Sequence, residues 1–186
     1  MHPPLVQNTS FFTVRLHDPT SRLLVDQVDV LRQSIRVCRK TYPFEILAAV
    51  ILPSRLHMIW ALPRGEDDCA VRWRIIKSTF SRHCPKPDKT NLSPAMIRRR
   101  EKGIWQRSFW QHDIRDQADY DLHEHLIIHA PVSEGLVRNP GDWALSSLHT
   151  RSKGYKAPAT YKTKIPAANA RQSSTAQARA MARSPR

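Results

Sequence analysis

The stretch Val50-Ile51-Leu52-Pro53-Ser54-Arg55-Leu56-His57-Met58-Ile59-Trp60 decides how this chain folds. It closes a nearly continuous apolar run, Phe44 to Leu52, which reads as a strand buried on both faces. Pro53-Ser54 is a turn, and Leu56 to Leu62 is the next strand, so the two form a hairpin. Arg55 and His57 stand two apart, which puts both side chains on one face of the sheet. A single histidine on a strand is more often structural than a ligand, so this pair alone does not define a site.

Upstream of the hairpin, Phe11 to Leu16 is a short strand candidate closed by Asp18-Pro19. Leu24, Val28, Leu31, Ile35 and Cys38 recur at helical spacing and predict an amphipathic helix over 22–40. Downstream, Val71, Ile75, Ile76 and Phe80 predict a helix over 69–83. Trp105 to Ile114 reads as a fourth strand or an extended segment. Tyr120 to His129 reads as a third helix stopped by Pro131. The first six elements follow the ferredoxin-like split βαβ order, an α+β fold in which an antiparallel sheet carries its helices on one face. That fold hosts many activities and settles none of them.

Charge narrows the class. The 186 residues hold 30 Lys and Arg against 16 Asp and Glu, a formal charge of +14. Such an excess favours a polyanionic partner, nucleic acid above all. The basic residues are unevenly placed: residues 150–186 hold nine of them and no acidic ones. That segment is poor in large apolar residues and is expected to be a disordered basic tail. Its role is either sequence-independent phosphate contact or none. Residues 1–10 read as an N-terminal extension, 11–149 as the domain, and 84–103 as a basic, proline-containing insertion with Arg98-Arg99-Arg100. No apolar run is long enough for a membrane helix, and the N-terminus lacks a signal-peptide pattern. Cys38, Cys69 and Cys84 fit neither a zinc pattern nor a disulfide framework, which points to a reducing cytoplasm.

Four ordered motifs carry a family resemblance. Residues 50–60 are similar to the VxxPxHxHxIW strand of REP-associated tyrosine transposases, the IS200-like branch of the HUH single-strand nucleases. Trp73-Arg74-Ile75-Ile76-Lys77-Ser78-Thr79-Phe80 resembles the family's WRxIKxxF helix. Residues 104–116 resemble its WQxxFWEHxIRD segment. Pro131-Val132, Gly135-Leu136-Val137 and Asp142-Trp143-Ala144-Leu145-Ser146-Ser147 resemble its NPVxxGxV and DWxxSS region. The match spans roughly 11–149.

The resemblance implies a mechanism. Two strand histidines and a polar helix residue hold Mg2+ or Mn2+ on the scissile phosphate, and a helix tyrosine attacks to form a phosphotyrosine link. The substrate is single-stranded DNA beside a palindromic REP-type hairpin. Mapped residue by residue, only His57 stands at its family position. Arg55 replaces the first histidine, Leu126 the tyrosine and Ala130 the helix ligand. Leucine has no nucleophile, alanine has no ligand atom, and arginine stays charged and does not ligate metal. Tight metal binding at His57 is therefore not expected.

The leading expectation is a monomeric DNA-binding protein with cleavage lost, in a bacterial cytoplasm and associated with the nucleoid. Arg55, Arg72, Arg74, Lys77, Arg107, Trp110 and Arg115 are the expected DNA contacts. Arg55 is expected to grip phosphate where metal stood, and Trp110 to stack on a base. Two alternatives remain: an active metal-dependent transposase with a rearranged site, and a relic without selected activity. A rearrangement would draw on Tyr120 as nucleophile, or on His57, His123 and His129 as an imidazole metal site.

Overall fold

Residues 8–85, 92–99 and 101–151 are described by the structure, a computed structural model. The hairpin forms as its sequence predicts. β2 (Glu45–Ile51) and β3 (Arg55–Ala61) pair antiparallel, with Ile51 opposite Leu56 and an irregularity between Ile46 and Ala48. The Leu52 amide closes the turn by donating to the Arg55 carbonyl at 2.9 Å.

β1 (Thr9–Arg15) lies antiparallel to β3, with Phe11 opposite Ile59, Thr13 opposite His57 and Arg15 opposite Arg55. β4 (Trp110–Asp113) pairs with the other edge of β1. The sheet order β2-β3-β1-β4 is the ferredoxin-like one. The segment before β4 makes only an isolated bridge, Trp105 to Leu16, so the fourth strand is shorter than the extended segment that the sequence suggests.

Alternation assigns the two faces. Phe12, Val14, Leu16, Leu56, Met58 and Trp60 project to one side and form the larger core. There they meet Leu31, Ile35 and Cys38 of α2 (Val28–Thr41) and Trp73, Ile76 and Phe80 of α3 (Cys69–His83). Trp60 stacks on Trp73 with ring centroids 4.3 Å apart. The helix predicted over 22–40 is interrupted at Gln27, which separates α1 (Leu23–Asp26) from α2. α4 (Pro94–Arg98) lies inside the proline-containing insertion, capped by Ser93. Cys38, Cys69 and Cys84 are free and buried.

α5 (Gln117–Ser133) covers the opposite face. Its Tyr120 and Ile127 pack on Phe11, Ala48, Val50, Ile59 and Ala61. The expectation of helices on one face therefore holds for the two crossover helices and not for α5. The physical reason is that β1 to β3 carry apolar residues in both registers, so both faces need cover. Pro131 also fails to stop the helix. In the last turn a proline forfeits only one backbone bond, and the Glu134 and Leu136 amides close the end on the Ala130 and Pro131 carbonyls.

After a 3₁₀ turn (Pro140–Asp142), residues 145–147 run along the outer edge of β2 before α6 (Leu148–Arg151). The Ile51 amide donates to the Leu145 carbonyl at 2.9 Å, and the Ser147 amide to the Ala49 carbonyl at 2.8 Å. The Ala49 amide donates to Ser147 Oγ at 3.0 Å.

Candidate nucleic-acid interface

The face beneath α5 gathers the strand residues singled out by sequence. His57 bonds through Nδ1 to Thr13 Oγ1 at 2.8 Å, and its ring stacks on Phe11 at 5.7 Å. Burial, and then the charges of Arg55 and Arg15, push its pKa down to about 3, so this imidazole is neutral at physiological pH.

Arg55 and Arg15 stand directly opposite each other on paired strands. Like charges in that position repel, and an anion is needed between them. Glu134, just past the end of α5, supplies it: Arg55 Nε donates to Glu134 Oε1 at 2.5 Å. Burial and the Arg55 charge lower the Arg15 pKa, while Glu134 raises it. Two guanidiniums and one carboxylate leave a net positive charge beside the neutral His57.

The metal that the family resemblance implies does not fit here. Arg55 brings a cation committed to Glu134, and Ala130 is packed against the apolar cluster under α5. Leu126 offers no donor. Tyr120 is 3% exposed, with its hydroxyl directed at Glu124 Oε1, 3.3 Å away, and does not present a nucleophile to solvent. His57, His123 and His129 are not brought together. The Phe11 ring packs against both His57 and His123, at 5.7 and 4.8 Å, while His129 stacks on His125 at 3.9 Å.

At the β4 end of this face, Trp110 is exposed, its ring edge-on to Phe11 at 5.6 Å and parallel to His112 at 5.8 Å. Trp60 and Trp73 are core residues, and Trp143 donates its indole N–H to the Ile51 carbonyl at 2.9 Å. Below Trp110 lies a polar cluster that the sequence reading missed. Asp119 accepts from His112 Nε2 at 2.9 Å, from the Arg115 amide at 3.1 Å and from Arg115 Nε at 3.2 Å. His123 Nδ1 lies 3.1 Å from Asp119 Oδ1 and 2.8 Å from the Asp119 carbonyl oxygen. Burial alone raises the Asp119 pKa, but the bonds from His112 and Arg115 outweigh it and hold it at about 2.

The expected DNA contacts thus divide. Arg55, Trp110 and Arg115 share the α5 face. Lys77 lies on α3 across the sheet, where a cavity of about 680 Å³ is lined by Arg74, Lys77 and Arg107 with Trp73, Trp105 and Phe109. Lys77 Nζ donates to the Gln106 carbonyl at 2.9 Å and the Ser108 carbonyl at 3.3 Å, and burial lowers its pKa to about 8. It ties the segment before β4 to α3. Arg72 does not belong to either surface. Its side chain is 1% exposed, and its guanidinium bonds to the Asp68 carbonyl at 2.9 Å, to the Pro43 carbonyl at 3.0 Å and to Glu66. It is a core arginine that joins the start of β2 to α3, which corrects its place among the expected DNA contacts.

A four-stranded ferredoxin-like sheet with a β3 histidine on the face covered by the helix after β4 is the arrangement that the motif resemblance implies. Comparison with known proteins agrees. No protein-family profile matches the chain. The chain is 40% identical over 141 residues to the REP-associated tyrosine transposase of Escherichia coli K12, covering 76% of each. It is 38% identical over 139 residues to a Haemophilus influenzae protein assigned to the same family, covering 75% of this chain and 78% of that one. A solved REP-associated tyrosine transposase, bound to a REP hairpin, superposes with a TM-score of 0.72 at 36% identity, over 90% of this chain and 94% of that one. This chain belongs to the REP-associated tyrosine transposase family.

Proposed function

We propose that this chain binds single-stranded or hairpin DNA of the REP type and does not cleave it by a tyrosine route. The observation that carries the reading is the Arg15–Arg55–Glu134 group beside neutral His57. At the position of a family metal ligand stands a guanidinium already shaped to hold an anion. A DNA phosphate takes the place of the Glu134 carboxylate, and two arginines neutralise it without metal. Trp110, exposed on the same face, supplies a stacking surface for an unpaired base.

This reading makes the chain a monomeric binder with no tightly held Mg2+ or Mn2+ at His57, working in the cytoplasm and nucleoid of a bacterium. Among the described residues no helix is long and apolar enough to cross a membrane. The expected tail over 150–186 lies almost wholly outside the described residues.

The test is one incubation with a labelled REP-type hairpin oligonucleotide plus Mg2+ or Mn2+, read on two gels. A retarded band on the native gel with intact oligonucleotide on the denaturing gel is the expected result. A covalent protein–DNA adduct or a nicked product shows an active transposase instead. Association that is only charge-driven, equal for hairpin and scrambled DNA, refutes specific recognition.

A further inference from the structure

We propose that His112, Asp119 and His123 form a binding site for one divalent transition-metal ion of the zinc class, separate from the family position at His57. His112 projects from β4 onto the α5 face, opposite Phe11 in the strand register. Asp119 and His123 are four residues apart on α5 and share a side of the helix. The three side chains therefore meet where β4 and the first turns of α5 touch.

The geometry suits a small tetrahedral ion. Each residue offers one ligand atom, and all three atoms lie within 4.8 Å of one another. His112 Nε2 is 2.9 Å and His123 Nδ1 is 3.1 Å from the two oxygens of Asp119. Around zinc, with bonds of about 2.0–2.1 Å, ligand atoms stand roughly 3.3 Å apart. The widest pair, within 4.8 Å, closes by up to about 1.5 Å on side-chain rotation, and binding releases the proton that His123 Nδ1 donates to the Asp119 carbonyl at 2.8 Å. Two imidazoles and one carboxylate favour zinc, cobalt or nickel over Mg2+, which prefers an all-oxygen shell.

The surroundings resemble those of a held metal. Arg115 fixes the carboxylate through its amide and Nε, the outer contacts that orient a metal-binding carboxylate. Phe11 lies 4.8 Å from the His123 ring, and Trp110 stacks on His112, so two sides of the site are apolar. Asp119 and His123 are buried, while the His112 side chain is 28% exposed, which leaves an approach for the ion and a fourth position for water. The Phe11 ring lies between this cluster and His57.

The test uses full-length protein stripped by chelation and titrated with Zn2+ by calorimetry and with Co2+ by visible spectroscopy. One ion per chain and the intense d–d bands of tetrahedral Co2+ are expected. His123→Ala should weaken Zn2+ binding by more than about 100-fold, the upper loss seen for an outer partner alone. His112→Asn keeps a hydrogen-bond donor to Asp119 and guards against simple misfolding. It should lose the Co2+ spectrum while keeping its thermal midpoint. His57→Ala and His129→Ala should bind as the parent does. Absence of binding by the parent protein overturns the proposal. So does Zn2+ affinity that survives His112→Asn and His123→Ala, or that falls instead with His57→Ala.

Discussion

Glu134→Gln tests the phosphate reading most directly. Arg15 and Arg55 are held opposite each other by strand register, and Glu134 neutralises one of them. A phosphate arriving at Arg55 must displace that carboxylate. The side chains of the pair are 35% and 21% exposed, so the ion pair is worth about 1 kcal/mol, the upper end for exposed pairs. Removing the charge spares DNA that cost, a gain of about fivefold in affinity. The fold loses little. The amide oxygen of glutamine still accepts from Arg55, and a carboxylate at a helix C-terminus is itself unfavourable by about 0.3–1 kcal/mol. Fluorescence anisotropy with a labelled hairpin oligonucleotide over a salt series reads both quantities. Tighter binding with the log–log salt slope unchanged is expected, because the same phosphate is neutralised in both proteins. Arg55→Ala should weaken binding and make the slope shallower by about 0.7–0.9, one phosphate contact fewer. If Glu134→Gln leaves affinity unchanged and Arg55→Ala leaves the slope unchanged, phosphate does not bind at Arg55 and the proposed role is wrong.

Trp110→Ala should cost about 1–3 kcal/mol of affinity for unpaired DNA, with the thermal midpoint held and Trp110→Phe recovering most of the loss in the same anisotropy assay. Arg72→Ala should do the reverse. It removes a buried cation from three partners and should destabilise by about 3 kcal/mol in urea unfolding, with salt slope unaltered in whatever protein remains folded. His57 gives the fold a signed pH dependence. Its folded pKa, about 3, lies below the ordinary 6.5, so below pH 6.5 the unfolded chain takes up a proton that the folded chain refuses. Stability should fall as pH drops from 6.5 toward 3, and denaturant midpoints of His57→Gln should show a shallower decline across that window.

The strands and helices were legible because their signals are local. The hairpin from Phe44 to Leu62 and the helix over 69–83 are read from period and turn residues alone, and the structure keeps both. What was not legible depends on partners distant in sequence. Arg72 looks like a surface cation on any helical projection, and only the Pro43 carbonyl and Glu66 make its burial tolerable. That the helix after strand four could pack near the Arg55–His57 face is readable from the order of the elements, but the apolar character of Phe11 and Ile59 does not say which of its residues cover them. Pro131 marked a stop by rule, yet a proline in a final turn costs one bond only. In the site, the motif pattern located Arg55, His57, Leu126 and Ala130, but no spacing in the sequence signals Glu134 or the meeting of His112 with Asp119. Those pairings exist only once β4 and α5 are laid on the sheet.

Residues 145–147 give the DWxxSS-like motif a meaning other than DNA contact. An outer strand such as β2 presents a row of free amides and carbonyls on which another chain can polymerise by adding a strand. Here the Leu145 carbonyl accepts from the Ile51 amide, Ser147 takes both the amide and the carbonyl of Ala49, and Trp143 donates its indole N–H to the Ile51 carbonyl. The motif works as a seam that covers the Ala49–Ile51 end of this edge, where an added strand would otherwise pair. The other margin, β4, is only four residues long. Between them, a short β4 and a partly covered β2 leave few free backbone groups on either margin of the sheet.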